Sequence, residues 1–169
     1  MNNDKKPADG IDPDVQQKLD LIHDDTQPAR FGYPSTKREK LQRLYDESRN
    51  GSDGYTRHGM FRKLIYTDGV RELAETAGAY WLLDVIATEA SPVMLAQWET
   101  GATLGIVEIE VVGSTAVIRL TTSDDMPPIW TRRIGYTNFP EGTWLLYLGC
   151  DSIIEPGHMV TVLCLPSEN

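Results

Sequence analysis

The sequence is short of cysteine, of long apolar runs and, over its second half, of lysine, and each shortage removes a class of protein. Its two cysteines, Cys150 and Cys164, are too few for a disulfide framework, so they read as buried small apolar residues that a reducing compartment keeps as thiols. No stretch approaches the roughly 18 consecutive apolar residues of a membrane span, and no membrane partner is expected. The opening MNNDKKPADGIDPD has no apolar core of a secretory signal, which makes a cytoplasmic location the expectation. A phosphate-cradling glycine-rich loop, HExxH and a nucleophile elbow are all missing. The last lysine is Lys63, and residues 98–169 carry nine acids against three arginines within a net charge of -9. That half repels phosphate, so direct nucleic-acid binding is not expected, whereas a protein partner with a basic surface would be attracted. Acidity that serves only solubility is the plainer alternative.

What is present suits one globular core: 169 residues, 40% hydrophobic and 24% charged. Residues 1–53 hold twenty charges and read as a polar, partly helical N-terminal arm, with residues 54–169 as the core domain. In the arm, Asp12 and Pro13 start a short helix to about residue 24. A second helix runs from Thr36 to Asn50, opened by a capping box of Thr36 and Glu39 and striped by Leu41, Leu44 and Tyr45. The chain then turns apolar. A helical piece is expected over Met60–Ile65, and Asp68 caps a longer helix that Pro92 closes. Past Gly78 its apolar residues surround the axis, as in a helix buried on all sides.

LGIVEIEVV sets Val107, Ile109 and Val111 opposite Glu108 and Glu110, the alternation of a half-buried strand. Gly113 and Ser114 make a tight turn into TAVIRLTT. IWTRRIGYT, WLLYLG and MVTVLCL follow, the last after the turn EPGH. Helices first and strands after predict an α+β fold, with one central buried helix packed on a roughly five-stranded antiparallel meander.

Three groups bear on chemistry. Asp84, inside GAYWLLD, is either an acid tuned by burial beside Trp81 or a core carboxylate satisfied by Tyr80, a backbone donor or Arg119. Arg57, His58 and Asp68 gather with Tyr66 and Thr67 at the start of the central helix, where a helix N-terminus can hold phosphate; the plainer alternative is that Thr67 and Asp68 are caps and His58 a hydrogen-bond partner of Asp68. Cys150, His158 and Cys164 match no common zinc spacing and lack a fourth ligand, and Cys150 with His158 lacks an orienting third group. No metal or cofactor is expected. The acidic surface is assigned to Glu108 and Glu110 on their strand and to Asp124 and Asp125 in the loop SDDMPP.

YTRH with YTDGVRELAETAGAYWLLD, IGYTNFPEGTWLLYL and the terminal LCLPSEN together resemble a family of bacterial proteins of unknown function that recurs on phages, plasmids and integrated mobile elements. The similarity covers about residues 54–169, and Asn169 departs from it where an aromatic is usual. The resemblance implies a mobile-element accessory protein and transfers no catalytic residue. The resulting expectation is a non-enzymatic acidic protein that binds a host or element protein, for example an anti-defence inhibitor blocking a nucleic-acid-binding surface. Its rivals are a small phosphate-handling enzyme using Arg57, His58 and Asp68, and a homo-oligomeric structural subunit acting as a homodimer.

Overall fold

The computed structural model describes residues 36–47, 54–123, 125–152 and 158–169. The helix expected near residues 13–24 lies outside them, as do Asp124 and most of the EPGH turn. Helix α1, Lys37–Asp46, has the expected capping box: Glu39 N–H donates to the Thr36 hydroxyl, and Thr36 N–H donates to the Glu39 carboxylate. Its stripe is buried, with Leu41 and Leu44 in the same hydrophobic cluster as the sheet. The compact unit that holds the sheet begins at Ser35, so a boundary at residue 53 falls inside it.

Strands β1, Tyr55–Arg57, and β2, Leu64–Thr67, form an antiparallel hairpin. The helical piece expected over Met60–Ile65 is instead turn and strand. Six residues make too short a helix to stand alone, whereas Ile65 and Tyr66 find strand partners on both sides and Leu64 on the β7 side. Thr67 then caps α2, Asp68–Ala77, through its hydroxyl to Val70 N–H, one residue earlier than expected. Gly78 adopts a left-handed φ of 66° and closes α2 by donating its N–H to the Ala74 and Glu75 carbonyls, a conformation that costs a glycine little.

The expected long helix is therefore two. Helix α3 spans residues 80–98, α-helical over Tyr80–Val85 and Ser91–Trp98 with a π-helical turn at Ile86–Ala90 between them. Proline offers no N–H to a helix ladder, and a π turn is one way a helix accommodates the break; Pro92 thus continues the helix that it was expected to end. Nor is α3 buried on all sides. Leu82, Leu83, Ile86, Ala87, Ala90 and Met94 face the core, while Tyr80, Asp84, Thr88, Pro92 and Ala96 are exposed.

The fold is α+β, and the sheet has seven strands rather than five, in the order β1-β2-β7-β6-β3-β4-β5. The remaining strands are β3 (Leu104–Val112), β4 (Thr115–Thr121), β5 (Trp130–Ile134), β6 (Gly142–Asp151) and β7 (Val160–Cys164). The β3–β4 turn has positive φ at Gly113 alone, as a type II′ hairpin requires. β3, β4 and β5 do form a meander, but β6 returns to pair with β3 instead of β5. β7 then lies antiparallel to β6 and parallel to β2. A parallel pair needs a long connection, and α2, α3 and the central strands supply it.

Alternation along the strands sends Val107, Ile109, Val111, Ile118, Leu120, Leu146 and Leu148 into the cluster shared with the helices. On the opposite face Ile106, Glu108, Glu110, Arg119 and Tyr147 are partly exposed, and Leu104, Val112 and Leu145 are exposed.

Candidate functional site

The loop joining β1 to β2 carries the best-organised polar cluster. His58 is buried, and its Nδ1 lies 3.1 Å from the Phe61 backbone N–H while its Nε2 lies 3.0 Å from the Asp84 carboxylate. A backbone N–H only donates, so Nδ1 is the acceptor and Nε2–H the donor to Asp84. Both imidazole nitrogens are committed. The same loop is closed by His58 N–H to the Leu64 carbonyl and Leu64 N–H to the Phe61 carbonyl, and the Arg57 guanidinium donates to the Arg62 carbonyl. At its far end, Thr161 donates to the Lys63 carbonyl through both its backbone N–H and its hydroxyl, and this hydroxyl also meets Ser91 of α3 at 2.6 Å.

Asp84 is thus joined to a histidine, through a side chain that is 59% exposed rather than in the core. Neither of its expected side-chain partners is engaged with it. Arg119 lies across the sheet, and the Tyr80 phenol is tied to Glu75, whose hydrogen bond pushes its pKa up. Asp68, expected beside His58, pairs with Arg71 at 3.0 Å.

The start of α2 holds an anion, and the anion belongs to the chain itself. Glu168 lies in a terminal 3-10 turn, Pro166–Glu168, and is buried. Its carboxylate accepts from the Thr67 hydroxyl at 2.5 Å, from Gly69 N–H at 3.1 Å and from Leu165 N–H at 3.0 Å. A carboxylate at a helix N-terminus complements the orphan amides and the dipole there. A Cβ on Gly69 would meet Glu168 Oε1 at 2.6 Å, so this close approach requires glycine. In the sequence, LPSE carries only a family resemblance; a lone glutamate near a terminus gives no periodic signal of burial.

Among the acidic residues, Glu108 and Glu110 both accept from one nitrogen of Arg119, each at 2.8 Å. Glu108 faces Arg119 directly across the β3–β4 ladder. The two carboxylates hold the guanidinium pKa above its ordinary value, Glu110 more than Glu108. Asp125 is exposed on the β4–β5 loop, and Asp124 lies outside the described residues. The acidic patch is therefore two carboxylates sharing one cation on a partly exposed strand face, with Asp125 set apart from it.

Both cysteines are free thiols. Burial pushes the Cys150 thiol up, and burial with the Glu168 carboxylate raises Cys164 to about 11, the direction opposite to that of an activated nucleophile. Among the described residues no cluster of three histidine, cysteine or acidic side chains is placed to hold a metal ion.

Two adjoining clefts of about 590 and 600 Å³ lie between the 58–63 loop, the second half of α3 and the start of β7. They share Arg62, Lys63, Leu95 and Glu99. One extends over Met60, Phe61, Pro92 and Ala96, the other over Trp98 and His158. The groove leaves no local signal in the sequence, because three separated segments build it.

The chain matches DUF6876, a family of unknown function, over residues 39–169, and it belongs to that family. The match begins within α1, ahead of the residues near Tyr55 at which the sequence resemblance starts. No curated protein and no solved structure matches the chain.

Proposed function

We propose that this member of the DUF6876 family is a binding protein that engages a basic protein surface through the exposed face of β3, β4 and β6. The observation that carries this reading is the Glu108–Arg119–Glu110 cluster at the centre of that face, bordered by exposed Leu145 and partly exposed Ile106. Two carboxylates on one guanidinium leave a net negative centre, and the exposed apolar side chains beside it add area that a partner can cover. The shared guanidinium holds both carboxylates in place, which reduces the ordering cost of meeting a partner's lysines or arginines. The sequence resemblance to phage and plasmid proteins supports an accessory role in a bacterial mobile element, and an acidic face covering a nucleic-acid-binding surface of a host defence protein is its concrete form.

The experiment is a tagged-protein pull-down from a bacterium that carries the gene, followed by affinity measurement on the recovered partner. Leu145→Asp and Glu108→Lys are each expected to weaken that affinity at least about tenfold, and rising salt to slow association. An affinity indifferent to salt and to both substitutions refutes the assignment of this face. Recovery of the chain alone, as a stoichiometric self-complex, transfers the reading to the homo-oligomeric subunit.

A further inference from the structure

The geometry points to the groove between the 58–63 loop and α3 as a second docking site, for an acidic peptide segment of a partner protein that carries a bulky apolar side chain.

Two observations lead there. The first is how the groove wall is held. Met60 and Phe61 are 78% and 37% exposed, yet the loop that carries them is fixed from end to end. His58 fastens it to Asp84 and to Phe61 N–H, Arg57 to the Arg62 carbonyl, and Thr161, itself tied to Ser91, to the Lys63 carbonyl. Exposed apolar side chains on an unconstrained loop call for no explanation. Holding them rigid beside a concave surface is how a site reduces the ordering cost of binding. Methionine at the rim adds a side chain that adapts its shape to an apolar guest.

The second observation is charge. The zone shared by both clefts carries Arg62 and Lys63 against Glu99, in a chain whose net charge is -9. Local positive charge beside apolar walls selects a guest with carboxylates next to an apolar anchor. Each cleft is large enough for such an anchor, one walled by Met60, Phe61, Pro92 and Ala96, the other by Trp98. A polyphosphate chain is disfavoured by the acidity of the protein as a whole. The groove is independent of the exposed sheet face, since its walls come from α3, the 58–63 loop and β7.

The test uses the full chain. A phage-displayed library of random 12-residue peptides is selected on the parent protein, and enriched peptides are synthesised with a fluorescent label for anisotropy titration. Enriched sequences are expected to place Asp or Glu beside Leu, Ile, Phe or Trp. Lys63→Glu and Ala96→Arg should each weaken binding at least about tenfold, while Leu145→Asp on the sheet face leaves it unchanged. Because Lys63 and Ala96 are exposed, both variants should keep the parent circular dichroism and melting temperature. Should Ala96→Arg fail to fold, Met60→Asp replaces it. Enrichment of basic or unrelated peptides overturns the proposal, as does binding that survives both groove substitutions. Groove-dependent binding of labelled oligothymidylate or of a fluorescent fatty acid, with no peptide enriched, overturns it in favour of that other occupant.

Discussion

Replacing Glu168 by alanine tests whether the terminal turn is a structural latch, and the cost can be worked from its partners. Glu168 receives the Thr67 hydroxyl and two backbone N–H groups, those of Gly69 and Leu165. The hydroxyl can rotate to another acceptor. The amides cannot, and each buried donor left without a partner costs about 1–3 kcal/mol. A cleft of about 340 Å³ bordered by Glu168 and Asn169 lets water reach part of the vacated site, which favours the lower half of the resulting range of about 2–6 kcal/mol. We therefore expect Glu168→Ala to cost about 3 kcal/mol, a large share of the roughly 5–15 kcal/mol that stabilises a domain. Glu168→Gln keeps one oxygen where two of the three donors converge and turns an amide NH2 toward Gly69 N–H, so about 1–2 kcal/mol is expected. Urea unfolding followed by tryptophan fluorescence and far-ultraviolet circular dichroism measures both. The reasoning fails if the alanine variant lies within about 1 kcal/mol of the parent, or if glutamine costs more than alanine.

Gly69→Ala should cost about 1–3 kcal/mol by overpacking, because the new methyl meets Glu168 Oε1 at 2.6 Å and Leu165 Cδ1 at 2.7 Å; in the Glu168→Ala background the cost should shrink, and strict additivity would show that the two do not touch. A chain beginning at Ser52 loses α1, and with it Leu41 and Leu44 from the core, so it should melt less cooperatively or aggregate, whereas one beginning at Ser35 should melt as a single transition; a parent-like melt of the shorter chain supports the boundary at residue 53. Asp84→Ala should cost about 1–2 kcal/mol, since the carboxylate is 59% exposed and water can take its place, while the His58 Nε2–H that it leaves belongs to a buried ring; a cost of about 4 kcal/mol or more would place Asp84 back in the core. The folded-state pKa of Cys164 is raised from 9.0 to about 11, so the folded protein binds more protons than the unfolded chain between those values. Its contribution to stability is complete below pH 9 and is lost as pH rises toward 11; Cys164→Ala should flatten that alkaline decline, and an unchanged pH profile of the urea midpoint contradicts the shift.

The elements read most accurately from sequence are those whose signal is local. The capping box at Thr36, the stripe of Leu41 and Leu44, the alternation of Val107, Ile109 and Val111 and the turn at Gly113 each appear where local chemistry puts them. What was misread depends on distant chain. Leu64–Tyr66 is a strand because β7, nearly one hundred residues later, lies beside it. The break at Gly78 and the continuation through Pro92 turn on backbone choices that an apolar run does not display. Asp84 sits in an apolar stretch but on the outer side of α3, so composition suggested burial where helical phase gave exposure. The pairing of His58 with Asp84, and of Glu168 with Gly69, joins residues that no spacing rule relates. The groove is a product of the same kind, assembled from three segments that meet only in the fold.

The parallel pairing of β2 with β7 also bears on how the molecule opens. Among the described residues the β1–β2 hairpin joins the rest of the sheet only through β7. Release of β7 would therefore leave the hairpin and the 58–63 loop held by the His58–Asp84 bond to α3 and by packing on α2 rather than by the sheet, while the β3–β4–β6 centre keeps its ladders. Amide hydrogen exchange should divide the sheet along this line. Leu64, Tyr66, Val162 and Leu163 would share one opening free energy, and Val107, Ile109 and Ile118 a higher one. Thermal motion that leaves the sheet centre intact would then be enough to dismantle the groove.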